Sequence, residues 1–339
     1  EEFKNNTSLE DDPMIKMIKK NGGIIIGLTN MDEAAFGGST SSSFYGRCLN
    51  PININLSVGG SSGGSAAAIS SGLVNNAIGT DTMGSVRIPA SYCGVFGFKP
   101  SSNTITNKDL ILLSNTYDTI GFFGKNISNI SNLFNLINSK DYNAPRNIKC
   151  IVPTQIFEDQ IETNVLENFK KTILTLKQNN IQVIEKELDY WKPNLHRKAL
   201  LKLVENEGAK NLSDLLMNNK SKITKLLRSN LQFGQNINKT DIKKIKEDLL
   251  KLKIKTQNIF ETFDLILTPT TPQSAFKIEK EQPLNQANFT SLANISDLPA
   301  ISLPHNGTYE QPFSIQLNAA NNNDKILLKI SSIFEKILQ

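Results

Sequence analysis

The chain has 339 residues with 37 basic against 32 acidic side chains, two histidines and three cysteines, and its 39% hydrophobic and 20% charged content is that of a globular protein with a sizeable core. The net charge of +5 is spread along the chain without a basic block or basic–aromatic interleaving, which argues against nucleic acid as a direct partner. No apolar run nears the roughly 18 residues of a membrane span, and an odd cysteine count without metal-type spacing speaks against a disulfide framework or a metal site.

Taken in order, "DDPMIKMIKKNG" at 11–22 predicts a short helix that starts at a proline and stops at Asn21-Gly22, and "GIIIGLTN" at 23–30 predicts a buried strand. From about 101 to 255 the chain is more polar and mostly helical, with strands expected in "NIKCIVP" and "IQVIE". Its clearest helix sets Ile242, Ile245, Leu249, Leu252, Ile259 and Phe263 in one apolar stripe on a lysine-rich surface, as core packing requires. "DLILTPTTP" and "LPAISLP" each predict a short apolar strand ending in proline, before a helix over Asp324–Leu338. Alternating strands and helices favour an α/β fold: a mixed β-sheet covered by helices on both faces. Cys48, Cys93 and Cys150 are expected as buried thiols in a reducing, cytoplasmic setting.

The stretch "VGGSSGGSAAAISSGLV", Val58 to Val74, places four glycines and three serines in seven residues and then small helix formers. Glycines allow close backbone approach, and a helix starting there could hold an anion on its free N–H groups. A phosphate loop is disfavoured because the Gly-x-x-x-x-Gly-Lys-Ser/Thr pattern is absent. Gly59-Gly60-Ser61-Ser62-Gly63 also fits the Gly-x-Ser-x-Gly nucleophile elbow, but that hydrolase needs a histidine base, and neither His196 nor His305 has a suitable context.

The next segment narrows the choice. "GTDTMGSVRIPASYCGVFGFKP" at 79–100, with the glycine-serine loop before it and "GLTNMDEAAFG" further upstream, resembles the amidase signature family. The resemblance is dense from Gly22 to Pro100 and returns in "FDLILTPTTP", "LPAISLP" and "PFSIQL". It implies one amidase-signature domain over 1–339, with a signature core at 22–100, a variable substrate-side region at about 101–260 and a return to the sheet at 261–339. It also implies amide hydrolysis by a serine, a second serine in a cis peptide, and a lysine, with no cofactor and a small-molecule amide as substrate. Motif by motif, Ser85 falls on the nucleophile and Ser61 on the bridging serine that relays the proton. Backbone groups of Thr82, Met83, Gly84 and Ser85 would bind the oxyanion, and Gly59 and Gly60 would border the substrate. The implied cis bond is Ser61–Ser62 or its immediate neighbour, and the two hydroxyls should lie within hydrogen-bonding distance. Asp81 and Arg87 fit a structural pair holding the turn, and Lys99 and Tyr92 fit packing positions.

Two departures qualify this. The family's lysine lies in a motif upstream of "GLTNMDE", and no lysine from Lys4 to Lys20 has that context, so a removed or truncated N-terminal part is expected, with activity impaired and apolar surface uncovered beside the site. Met83 and Ile88 stand where many members, including the glutaminase subunit of a tRNA-dependent amidotransferase, carry glycine and glutamine, which favours a general amidase. That glutaminase is the alternative; it would bring partner subunits in place of a homo-oligomer, and a mitochondrial matrix location in a eukaryote. "ITKLLRSNLQFG", with Arg228, faintly resembles its glutamine-binding segment. A non-catalytic relic of the fold is the remaining alternative.

Overall fold

The computed structural model describes residues 10–107, 110–140, 142–218, 222–305 and 311–338. The first helix, α1 (Pro13–Lys20), starts at the expected proline, with the Asp12 carboxylate accepting from the Met14 amide at 2.7 Å, and ends at Asn21. It turns Met14 and Ile18 inward. The strand expected at 23–30 does not form. Ile24, Ile26 and Leu28 lie at the surface in a run without strand or helix. A strand exists only where a neighbour takes its amides and carbonyls. No backbone hydrogen bond holds residues 24–29 among the described residues, and the chain is next fixed where Thr29 Oγ1 meets Ser65 Oγ at 2.7 Å and the Asn30 carbonyl accepts from the Gly64 amide at 2.9 Å.

Eight strands form one sheet: β1 (Asn76–Asp81), β2 (Phe96–Lys99), β3 (Thr119–Gly124), β4 (Lys149–Pro153), β5 (Gln182–Lys186), β6 (Leu265–Pro269), β7 (Ala300–His305) and β8 (Phe313–Asn318). Their spatial order is β1-β3-β2-β7-β8-β6-β4-β5. Pairing is parallel at β6–β4 and β4–β5 and antiparallel elsewhere, so the sheet is mixed as expected.

The two faces are separated by neighbouring phenylalanines of β3, whose side chains alternate across the strand. Phe123 packs with Ala66 and Ile69 of α2 (Gly63–Ser70) and with Ala90 of α3 (Arg87–Tyr92). Phe122 joins the main core with Phe98 and with Phe134 of α4 (Ile127–Asn135). That second face is completed by α5 (Thr163–Gln178) and α11 (Asp324–Leu338). In an outer group, α6 (Pro193–Asn211), α7 (Ser213–Asn218) and α8 (Lys225–Gln235) pack on one another, and α6 and α9 (Lys239–Asn258) pack on the short α10 (Ser291–Ile295). In α9 the stripe buries Leu249 and Leu252 fully, while Ile242 and Ile245 are packed at its margin. Cys93 and Cys150 are buried, Cys48 is half-buried, and all three are free thiols.

Candidate active site

The two serine loops meet. The Ser62 amide donates to the Ser85 carbonyl at 3.2 Å, and the Ser62 hydroxyl bridges the backbone of Thr80 on β1. The cis peptide lies at Gly60–Ser61, one bond before the first expected position. Asp32 encloses this loop. Its amide donates to the Ser61 carbonyl at 3.0 Å, while its buried carboxylate accepts the amides of Ser39, Thr40, Ser41 and Ser42 and the Ser42 hydroxyl. The Thr40 hydroxyl donates to the Gly59 carbonyl at 2.8 Å. Glycine is required at 60 because a Cβ there would stand 2.4 Å from the Asp32 carboxylate. The amides that open α2 are already used, Gly63 on the Thr40 hydroxyl and Gly64 on Asn30, so no anion site remains there.

The turn carrying Ser85 is built on a buried ion pair. Asp81 receives Arg87 Nε at 3.0 Å and Nη2 at 2.7 Å, together with the amides of Gly84 and Val86. Arg87 is fully enclosed and also donates to Thr290, Asn294 and Gln316. Burial alone would raise the Asp81 carboxyl; Arg87 beside it outweighs that, and the group sits at about 2. Gly84 has φ +133°, and a Cβ on it would lie 2.3 Å from Thr290 Oγ1. Because the Gly84 amide is committed to Asp81 at 2.9 Å, it is withdrawn as an oxyanion donor. The Met83 and Ser85 amides donate to no acceptor among the described residues.

Ser85 opens into a cavity of about 210 Å³ that is also lined by Gly60, Thr82, Met83, Ile88 and Arg197. Ser61 is fully buried, and its hydroxyl has no hydrogen-bond partner among the described residues, so the expected bond between the two hydroxyls is not formed. Thr82 lines the cavity with its hydroxyl turned to Asp118 at 2.6 Å.

No described lysine reaches Ser61. Lys99 is buried and donates to the Pro100 carbonyl, and its ammonium, disfavoured by burial and by Arg87, is pulled down to about 8. Lys16 and Lys19 pair with Glu10 and Asp11 at the surface. Tyr92 packs as expected, its hydroxyl bonded to Gln273 and Gln286. His196 accepts from the Lys192 amide, His305 stacks edge-on to Phe313, and neither lines the cavity. Arg228 is also outside it, donating to the Ile223 carbonyl.

Two residues escape a sequence reading. Asp32 stands in the motif "GLTNMDEAAFG", but its role appears only once the serine loop folds over it. Arg197 is one cation on a helix and has no local signal.

The family model described as Amidase matches residues 1–328. Over 98% of its length the chain is 29% identical to the A subunit of the glutamyl-tRNA(Gln) amidotransferase of Thermotoga maritima, covering 79% of that protein. The solved structure of the same Thermotoga protein superposes with a TM-score of 0.84 at 28% identity, over 97% of this chain and 77% of the other. A crystal structure of an amidase superposes with a TM-score of 0.92 at 23% identity, over 97% and 78%. With the family model spanning nearly the whole chain, and the two serine loops folded against each other beneath one cavity, the chain belongs to the amidase family.

Proposed function

We propose that the site hydrolyses a carboxylic amide through an acyl-enzyme on Ser85, with Ser61 as proton relay. The observation that carries this reading is the Ser61 hydroxyl, fully buried, without a partner among the described residues, and tied through Ser62 to the backbone of Ser85, which faces the cavity. An unsatisfied buried hydroxyl costs stability, and a catalytic role is one reason for a fold to keep one.

In the reaction the Ser85 oxygen attacks the amide carbonyl, its proton passes to the Ser61 oxygen, and the Ser61 proton passes to a base. The Met83 and Ser85 amides stabilise the oxyanion. Collapse expels ammonia or an amine, which takes the proton back along the same path, and water then releases the acid from Ser85. No described lysine stands at Ser61 to supply that base. Loss of one member of such a unit costs on the order of 10⁴- to 10⁶-fold in kcat.

The named relatives favour a second reading, the glutamine-hydrolysing component of a tRNA-dependent amidotransferase with partner subunits. The two are compared by assaying simple amides and glutamine with this chain and with the full natural polypeptide. A Ser85-linked acyl adduct seen by mass spectrometry supports the mechanism. Unchanged turnover after Ser85→Ala overturns it.

A further inference from the structure

Arg197 is a cation in an unusual position. It lies in the first turns of α6, whose N-terminal end carries the positive pole of the helix and disfavours a positive side chain. It is 7% exposed, yet no carboxylate lies within ion-pair distance of it among the described residues. The other buried arginine, Arg87, is matched directly by Asp81.

Two neutral amides hold Arg197 instead: Nε donates to Asn288 at 2.9 Å and Nη2 to Asn194 at 3.2 Å. Asn288 also donates from its amide nitrogen to Asp159 at 2.7 Å, so the Asp159 carboxylate acts on the guanidinium across Asn288 without bonding it directly. Nη1 donates to no protein acceptor among the described residues. A buried cation without a direct ion pair is expensive, and an anion reaching Nη1 would supply the contact that the protein does not.

The cavity shows what that ligand is. Arg197 lines the same 210 Å³ space as Ser85, and the wall around it is largely apolar, with Phe36, Ile88, Leu201 and Leu284. An anion entering this space exchanges water for a guanidinium fork in a low-dielectric setting, where such a contact is strong. No acidic side chain lines the cavity among the described residues. An ammonium group beside the anion would therefore meet Arg197 without an acid to receive it.

Resting on the amidase reading of Ser85, we propose that the substrate is the monoamide of a short dicarboxylic acid. Arg197 binds its free carboxylate while the amide carbonyl lies at Ser85. The absence of an α-ammonium separates this substrate from glutamine. Arg197 is a specificity residue in this scheme, touching the substrate away from the bond that breaks.

The test uses the full natural polypeptide and three matched amides: glutaramate; its neutral diamide, glutaramide; and glutamine, which adds only an α-ammonium. Glutaramate is expected to show a kcat/KM about 10- to 100-fold above each of the other two, the range set by a charge-assisted hydrogen bond. That preference should collapse in Arg197→Met and persist in Arg197→Lys, which keeps the charge. Collapse in both variants or in neither overturns the assignment, as does a wild-type ranking with glutaramide or glutamine first. If Arg197→Met does not fold, the wild-type ranking still decides. Calorimetry of glutaramate on Ser85→Ala reads the contact without chemistry. Binding there that Arg197→Met removes, with no turnover by the wild type, upholds this inference and counts against hydrolysis. Turnover of all three amides at equal efficiency does the reverse.

Discussion

Replacing Arg87 with methionine should cost more than any loss of apolar packing could, because it strands a charge. The guanidinium is fully enclosed and makes five hydrogen bonds, two to Asp81 and one each to Thr290, Asn294 and Gln316. Breaking one side of such a buried pair costs about 3–5 kcal/mol. A second route gives a comparable figure. Asp81 lies at about 2 in the folded protein against an ordinary 3.8, a difference of nearly two pH units, or about 2–3 kcal/mol of stability at neutral pH. Because the folded value is depressed, this contribution is complete above the unfolded value of 3.8 and disappears as pH falls through it towards 2. In Arg87→Met the sign reverses: burial now dominates, the carboxyl rises, and protonation relieves the stranded charge. The urea midpoint of the variant should therefore lie far below that of the wild type at pH 7, with the gap narrowing towards pH 4. Asp81→Asn combined with Arg87→Met should recover part of the loss. An Arg87→Met cost below about 1 kcal/mol at pH 7, or a double variant no better than the single one, would refute the stranded-charge reasoning.

Gly84→Ala should lose acylation of Ser85 and about 2 kcal/mol or more of stability, since the new Cβ meets Thr290 Oγ1 at 2.3 Å in a backbone of φ +133°; acyl trapping and urea midpoints measure both. Asp32→Ala removes the acceptor for four amides and a hydroxyl around the Ser61 loop, so amide hydrogen exchange over residues 39–42 should accelerate by at least about tenfold. Lys99, at about 8 when folded against 10.5, binds fewer protons folded than unfolded between those values. Its contribution to stability therefore rises with pH across that window, and the wild type should gain about 3 kcal/mol relative to Lys99→Met between pH 7 and 10.5 in chemical denaturation.

The sequence exposed those parts of the fold whose causes are local. The α1 start at Pro13, the strand β6 that ends at Pro269, β7, which runs one residue past its expected stop at Pro304, and α11 each depend on residues within a few positions. "GIIIGLTN" misleads for the opposite reason: its composition suits a strand, but pairing depends on a neighbour that the segment's own letters do not encode. The serine loops are legible because their glycines are spaced for close approach, as Gly60 against Asp32 and Gly84 against Thr290 show. The use of the Gly84 amide by Asp81 could not be read, since spacing alone does not say which donors a turn keeps for itself. Arg197 was hidden because its meaning lies in what is missing around it in space, while Arg228, in a more suggestive stretch, lies away from the cavity.

The contacts of Arg87 also set a clock. Thr290, Asn294 and Gln316 follow it by 203, 207 and 229 positions. At roughly 5–20 residues per second, a ribosome needs on the order of 10–50 s to travel from the turn that carries Ser85 to the last of these partners. Through that interval the nascent chain carries Ser85 in a turn whose arginine has only Asp81 to hold. The complete set of contacts that fixes this turn thus arrives with the final strands of the sheet, and a translation product that stops before Gln316 leaves Arg87 without its last partner.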